Sequence, residues 1–318
     1  MTTYKAIHGK LVQSLASDPD TAAYEGQLWF NSTSSDYKTI LKVDGAWASG
    51  GALPTNTNNQ ASFGTQSAAI SAGGFTPPGH TANVQTYDGS SWSEVNNLNT
   101  SRYALRGCGT TSAGLGFGGY VSGAVANSEE WDGTNWAEGN DLNTARHTLA
   151  GAGIQTAGLA FGGNGLDDET EEYNGTSWSE QNNLNTARKG LAGVGIQTAA
   201  LAIGGATPSD TANVETYNGT SWTEGNNLNT ARNNISGSTN GTTSAALAFG
   251  GHVSAVSALT EQYDGAAWAE VGDMNTARGD AGGAGTQTLG LVIGGEEPGR
   301  STATEEWTIA RNIKVLTD

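Results

Sequence analysis

The stretch LNTARHTLAGAGIQTAGLAFGG, Leu142 to Gly163, is written again almost letter for letter as LNTARKGLAGVGIQTAALAIGG, Leu184 to Gly205. Each copy is free of carboxylates and ends in a double glycine. That doublet recurs at 73–74, 118–119, 162–163, 204–205, 250–251 and 294–295, every 42 to 46 residues. In step with it run Asn-Thr at 56–57, 99–100, 143–144, 185–186, 229–230 and 275–276, and a turn with a tryptophan, as in YDGSSW, WDGTNW, YNGTSW and YDGAAW. Six units of one pattern are therefore present, and self-similarity at this period marks a repeat architecture.

Within a unit, the residues after the arginine form two short runs of small and β-prone side chains split by a polar turn such as IQT. A variable loop follows, then a segment such as TEEY, then Asn-Gly or Asp-Gly, then SWSE. Asn-Gly and Asp-Gly predict a type I′ hairpin, whose two central residues both need positive φ. Four short antiparallel strands per repeat, six times over, predict an all-β fold: a six-bladed β-propeller with each blade a twisted four-stranded sheet. The first two strands then lie near the axis, where blades crowd and side chains must be small and uncharged. Glutamates of the outer strands, such as Glu171, Glu172 and Glu180 and the pairs Glu129/Glu130 and Glu305/Glu306, are expected to face solvent at the rim.

The ends predict how the ring shuts. The last unit stops at ATEEW, Trp307, without its turn and second tryptophan, while VDGAWASGGAL at 43–53 supplies both. The strand holding Trp47 is thus expected to complete the sixth blade beside Trp307, leaving no free edge. The expected organisation is an attachment or linker segment at 1–26, carrying Lys5, His8 and Lys10, and a propeller at 27–318. The latter divides into a hairpin and closing strand at 27–53, repeats at 54–307 and a tail at 308–318.

Composition narrows function. Fourteen basic against thirty-one acidic residues give a net charge of −17, which repels phosphate backbones and anionic headgroups, so neither nucleic acid nor a membrane surface is expected as a partner. Cys108 is the single cysteine, which excludes an intrachain disulfide and a cysteine-based zinc site. The start lacks a basic region leading into an apolar one, and no run of eighteen apolar residues occurs, so neither a signal peptide nor a membrane span is expected.

The double glycine, the aromatic pair around a turn and the LNTAR opening each unit together resemble the kelch repeat family over residues 54–307. The aromatics stand five apart around a clipped turn, closer than in typical kelch blades. The segment EGQLWFNSTSSDYKTILKVDGAWASGG, 25–51, resembles a short hairpin found near repeats in bacteriophage tail and fibre proteins, and kelch-like phage proteins resemble the whole arrangement. The resemblance implies a non-enzymatic virion protein that meets other virion proteins and a host surface glycan or protein. A cellular kelch module for protein partners is the alternative. Galactose oxidase-like and sialidase-like enzymes share the propeller, but His8, His80, His147 and His252 have no ligand spacing, and DGSSW lacks the extra residue of a sialidase Asp-box. No catalytic residue, cofactor or metal site is expected.

Two sets of residues stand out as candidates. Arg102, Arg146, Arg188, Arg232 and Arg278 open five units, with Asn59 taken as the counterpart in the first. They either fix the junction between blades, through carbonyls or a carboxylate, or hold an anionic ligand such as an acidic sugar; five equal copies favour the structural role. The loops between second and third strands, and the residues after each arginine, vary from unit to unit. In a four-stranded meander both connections fall on one side, where loops on a rigid scaffold carry recognition; neutral drift is the competing account. Tyr103, Tyr120, His147, Lys189, His252 and Arg300 are the candidates on that face.

Overall fold

Four strands pair in chain order in each repeat because each ends in a turn its sequence dictates. The third repeat shows the plan: Ala150–Ile154, Ala157–Gly163, Asp167–Tyr173 and Trp178–Glu180, all antiparallel. The structure, a computed structural model, describes residues 12–19, 27–42, 44–297 and 299–316. The fold is all-β, built of four-stranded antiparallel sheets of the kind that make a propeller, and no helix occurs among the described residues. Lys5, His8 and Lys10 lie outside the described residues.

The hairpin turns differ from the type I′ expectation. Tyr87 pairs with Trp92, Gly89 sits at φ 90°, and Asp88 stands outside the two central residues. Its carboxylate accepts the backbone N–H of Ser90 and Ser91, each at 2.8 Å, so the side chain rather than a second positive φ shapes the loop. Asp132, Asn174, Asn218 and Asp264 repeat the arrangement.

Residues 46–308 form one compact unit holding six such sheets. The sixth combines Gly282–Gly285, Leu289–Ile293 and Thr304–Thr308 with Ala46–Ser49 from the other end of the chain. Trp307 and Trp47 face each other in register, their rings 5.6 Å apart. Successive sheets bury apolar side chains between them: Phe161 and Leu159 of the third pack with Tyr217 and Trp222 of the fourth, and Leu291 and Ile293 of the sixth pack with Tyr87 and Trp92 of the first. Each fully buried aliphatic or aromatic side chain contributes roughly 1.5–3 kcal/mol. At one position the innermost strands approach too closely for a side chain. A Cβ on Gly193 would lie 2.3 Å from the Gly151 carbonyl oxygen, which accounts for the glycine content of the opening stretch.

The second unit is made of the described residues among 1–45 and 309–318. Leu28–Asn31 and Asp36–Lys42 form the expected hairpin, with Gln13–Leu15 parallel on one side and Arg311–Val315 antiparallel on the other. Asp18 holds it at one end, paired with Lys38 at 2.9 Å and bonded by Asn31 Nδ2 at 2.5 Å. The organisation expected from the sequence has its boundary at residue 26, with 27–53 and 308–318 joined to the repeats. The compact units part instead after Gly45 and after Thr308, because 28–42 and 311–315 hydrogen-bond with one another.

Candidate functional site

The LNTAR word is one carboxylate's set of partners. In the third sheet Glu171 accepts the backbone N–H of Asn143 at 2.7 Å, its side-chain amide at 2.9 Å, the N–H of Thr144 at 3.3 Å and the Arg146 guanidinium at 2.8 Å. Arg146 also donates to the carbonyls of Gly162 and Glu169. The same pairing joins Arg102 to Glu129, Arg188 to Glu215, Arg232 to Glu261 and Arg278 to Glu305. All five arginines are 0% exposed, so the ring belongs to the interior and presents nothing to a ligand. The solvated-rim expectation is corrected for Glu129, Glu171 and Glu305: a buried guanidinium needs a buried partner, and the first glutamate of each pair supplies it.

The arginine backbones link one sheet to the next. The second glycine of each doublet donates to the arginine carbonyl ahead: Gly74 to Arg102, Gly119 to Arg146, Gly163 to Arg188, Gly205 to Arg232 and Gly251 to Arg278. Gly295 donates to Thr57. Thr57, not Asn59, therefore stands at the arginine position of the first unit. Buried Leu53 fixes the register, donating to Thr302 as Leu98 does to Ala82; the Asn-Thr at 56–57 is a chance echo of the motif.

Above these junctions the chain turns through six left-handed residues, Asn59, Ala104, Thr148, Gly190, Asn234 and Asp280. Ala104 donates to Asn59, Thr148 to Ala104, Gly190 to Thr148, Ile235 to Gly190, Asp280 to Asn234 and Asn59 to Asp280. The circuit returns to its start. In five repeats the two variable connections meet in backbone bridges, Asn58 with Phe75, Tyr103 with Tyr120, Lys189 with Ala206, Asn233 with His252 and Gly279 with Glu296, and in the third Asn164 donates to the His147 carbonyl.

These bridges bring most of the candidates together. Arg300 lies over the Phe75 ring at 4.4 Å. Rings then follow in contact, Phe75–Tyr103 at 5.6 Å, Tyr103–Tyr120 at 5.4 Å and Tyr120–His147 at 5.1 Å, a belt held by edge contacts and a cation–π pair. A depression of about 450 Å³ opens beside it, lined by Tyr103, His147, Lys189, Asp210, Asn233 and Asp280 among others. Tyr120 and Arg300 belong to the belt but do not line the depression. His252 stands behind Asp280, its Nε2 at 3.4 Å from Oδ2, in space that a side chain at Gly279 would occupy. The Asp280 carboxylate raises the His252 pKa, whereas burial, with Lys189 nearby, lowers that of His147.

A second cavity of about 40 Å³ is lined by Gln60, Ser62, Arg106, Ser236 and Thr239 of the inner strands and their approaches. Arg106 is not among the residues expected from the sequence. Its counterparts are Ala61, Ala150, Ala192, Ser236 and Gly282, so a charge at this place was visible as an exception once the repeats were aligned. Phe75 likewise follows its double glycine as Tyr120 does.

Cys108 is buried in an inner strand, where desolvation pushes its thiol up to about 12. Among the described residues no three His, Cys, Asp or Glu side chains converge as metal ligands, and no helix is long and apolar enough to cross a membrane. No family model matches the chain, and no curated protein matches it.

Proposed function

We propose that the six sheets are the blades of a kelch-like propeller, closed by the Trp47 strand, that serves as a non-enzymatic recognition module on a bacteriophage tail or fibre. The observation that carries the recognition reading is a division of labour. The repeated letters turn inward onto five glutamates, while the positions that vary, after each arginine and after each double glycine, meet pairwise around one depression. Support for six blades and closure comes from the backbone circuit through Asn59 and Asp280 and from the Trp47–Trp307 register. The virion setting rests on the resemblance of residues 25–51 and of the repeats. In that setting the partners are other virion proteins, met through residues 1–26, and a host surface glycan or protein, met by the variable face; the net charge of −17 disfavours nucleic acid and membrane.

Binding of the labelled protein to host cells and to a glycan array tests the reading. Replacing Tyr120, His252 and Arg300 together by alanine breaks the belt and the Asp280 contact and is expected to lower binding at least ~10-fold, since a few residues carry most binding energy. Unchanged binding by a folded triple variant overturns the assignment of this face.

A further inference from the structure

Six arginines lie within or beside the inner ring, and only five have a carboxylate at ion-pair distance. Arg106 lines the smaller cavity and donates from Nη1 to the Leu105 carbonyl at 2.9 Å. Among the described residues no acidic side chain lies within 4.0 Å of it. Asp280 attracts it from further away but is already engaged by His252 at 3.4 Å. Burial pulls the Arg106 pKa down, yet a guanidinium does not lose its proton in a protein. Arg106 is half-buried, so it stays open to the cavity, and a cation there with no counter-charge within reach is available to an anion. The same cavity holds further unmet polarity: the Gln60 Oε1 and Thr239 Oγ1 atoms are buried without partners.

The two cavities follow one another along the chain. Asn59, Asn234 and Asp280 line the wide depression, and the next residues, Gln60, Ile235 and Ala281, line the narrow one. The cavity that Arg106 lines is thus built on the residues that directly follow three walls of the depression. The wide space falls within the range of small-ligand sites and is concave, unlike the flat face of roughly 800 Å² per partner that a stable protein contact needs. Its walls offer the Tyr103 and His147 rings and Lys189, which has no ion-pair partner among the described residues, beside two carboxylates that are already engaged, Asp210 by the Asn233 amide and Asp280 by His252. Ring faces and amides suit a hydroxyl-rich ring compound. A free inorganic anion would have to approach a protein of net charge −17 with no such contacts to hold it.

We infer that Arg106 anchors an anion site on this axis and that its ligand is the carboxylate of an acidic sugar seated in the depression. The inference rests on the recognition reading of this face and names its ligand class. Lys189 adds a second cation at the rim, and Tyr103 and His147 wall the sugar ring.

The test is calorimetric titration of the full chain, at fixed ionic strength, with two matched pairs: tri-galacturonate against galactotriose, and sialyl-lactose against lactose. Sodium chloride is a third arm, read by melting temperature. At least one acidic sugar is expected to bind about tenfold or more tightly than its neutral partner, the size of a charge-assisted hydrogen bond. Arg106→Gln should abolish that preference. Arg106→Lys should retain part of it, and tests the anchor should the glutamine variant fail to fold. Tyr103→Ala should weaken acidic and neutral sugars alike. Equal affinity within both pairs, or a preference that survives Arg106→Gln, overturns the proposal. So does a chloride-dependent rise in melting temperature that Arg106→Gln removes, if no acidic sugar is preferred. If wild type binds host cells through Tyr120, His252 and Arg300 but takes none of the four sugars, this inference fails and the recognition reading stands. If the triple-alanine variant keeps host binding, the recognition reading fails.

Discussion

Five sheets hold their entrance with a buried arginine and glutamate, and the first sheet does without either. At the corresponding places it has Thr57 for the arginine, Gln85 for the glutamate and Pro54 for the asparagine. All three changes occur together. The Thr57 hydroxyl reaches the Gly73 carbonyl at 3.3 Å, as Arg146 reaches Gly162 at 3.1 Å, so the carbonyl keeps its donor without a charge. The contrast shows that the charge pair is dispensable as a set, in keeping with buried pairs elsewhere. Removing one member is a different matter.

Glu171→Ala, which strands Arg146 in the interior, is expected to lower the unfolding free energy by about 3–5 kcal/mol, measured by urea denaturation. Rewriting the third sheet after the first, with Arg146→Thr, Glu171→Gln and Asn143→Pro together, should cost less than Glu171→Ala alone. A triple variant at least as unstable as the single one would break the comparison, because the first sheet would then owe its neutrality to its surroundings and not to the set.

The inner strands repeat the contrast on a smaller scale. Gly107, Gly151, Gly193, Gly237 and Gly283 occupy a position where the first sheet has Ser62, whose Oγ donates to the Gly283 carbonyl at 3.1 Å and accepts its N–H at 2.8 Å. Gly193→Ala forces a Cβ to 2.3 Å from the Gly151 oxygen and should cost ~1–3 kcal/mol as overpacking. Ser62→Ala only removes hydrogen bonds and should cost about 1 kcal/mol. Equal losses would mean that space is not what selects glycine there.

How far the residues foretold this depends on whether a signal is repeated or relational. Strand count, the double glycines and the Trp47–Trp307 pairing follow from spacing alone, and so were legible. The fate of Glu171 was not: a glutamate in an outer strand looks solvated until LNTAR is seen to converge on it from 25 to 28 residues away. Asn59 was misplaced because the Asn-Thr word outweighed Leu53, whereas backbone bonding is aligned by the buried leucine. Of the six residues expected on the variable face, Tyr103, His147 and Lys189 line one depression, and Tyr120, His252 and Arg300 do not. Asp210 and Asp280 were missed because neither charge repeats: Asp210 stands where the similar first loop has His80, and Asp280 where the other repeats have Asn59, Ala104, Thr148, Gly190 and Asn234.

Tryptophans at the sheet boundaries give a finer contrast. Trp47, Trp92, Trp178 and Trp222 donate Nε1–H to Thr260, Thr304, Ser128 and Thr170, hydroxyls in the third strand of the sheet before. Trp136 and Trp268 face Val84 and Val214 at that place, and their indole nitrogens are buried without partners. Val214→Thr should therefore raise stability by roughly 1 kcal/mol, and Thr170→Val should lower it by a similar amount. A destabilising Val214→Thr would show that the added hydroxyl cannot reach Trp268.

The smallest expected effect sets the buried pairs against their partly exposed relative, His252 with Asp280, whose side chains are 29% and 11% exposed. The carboxylate raises the His252 pKa above its ordinary value, so the folded chain holds that proton more tightly than the unfolded one. The resulting stabilisation is complete below the ordinary imidazole value of about 6.5 and is lost as pH rises through the raised folded value. His147 acts with the opposite sign, because its pKa is lowered by burial and its contribution is lost as pH falls. The readout is thus the difference in melting temperature between wild type and Asp280→Asn. That difference should shrink as pH rises through the window and as salt is added, and should correspond to no more than about 1 kcal/mol. A gap that stays constant with pH would mean that Asp280 acts on the backbone circuit and not through His252.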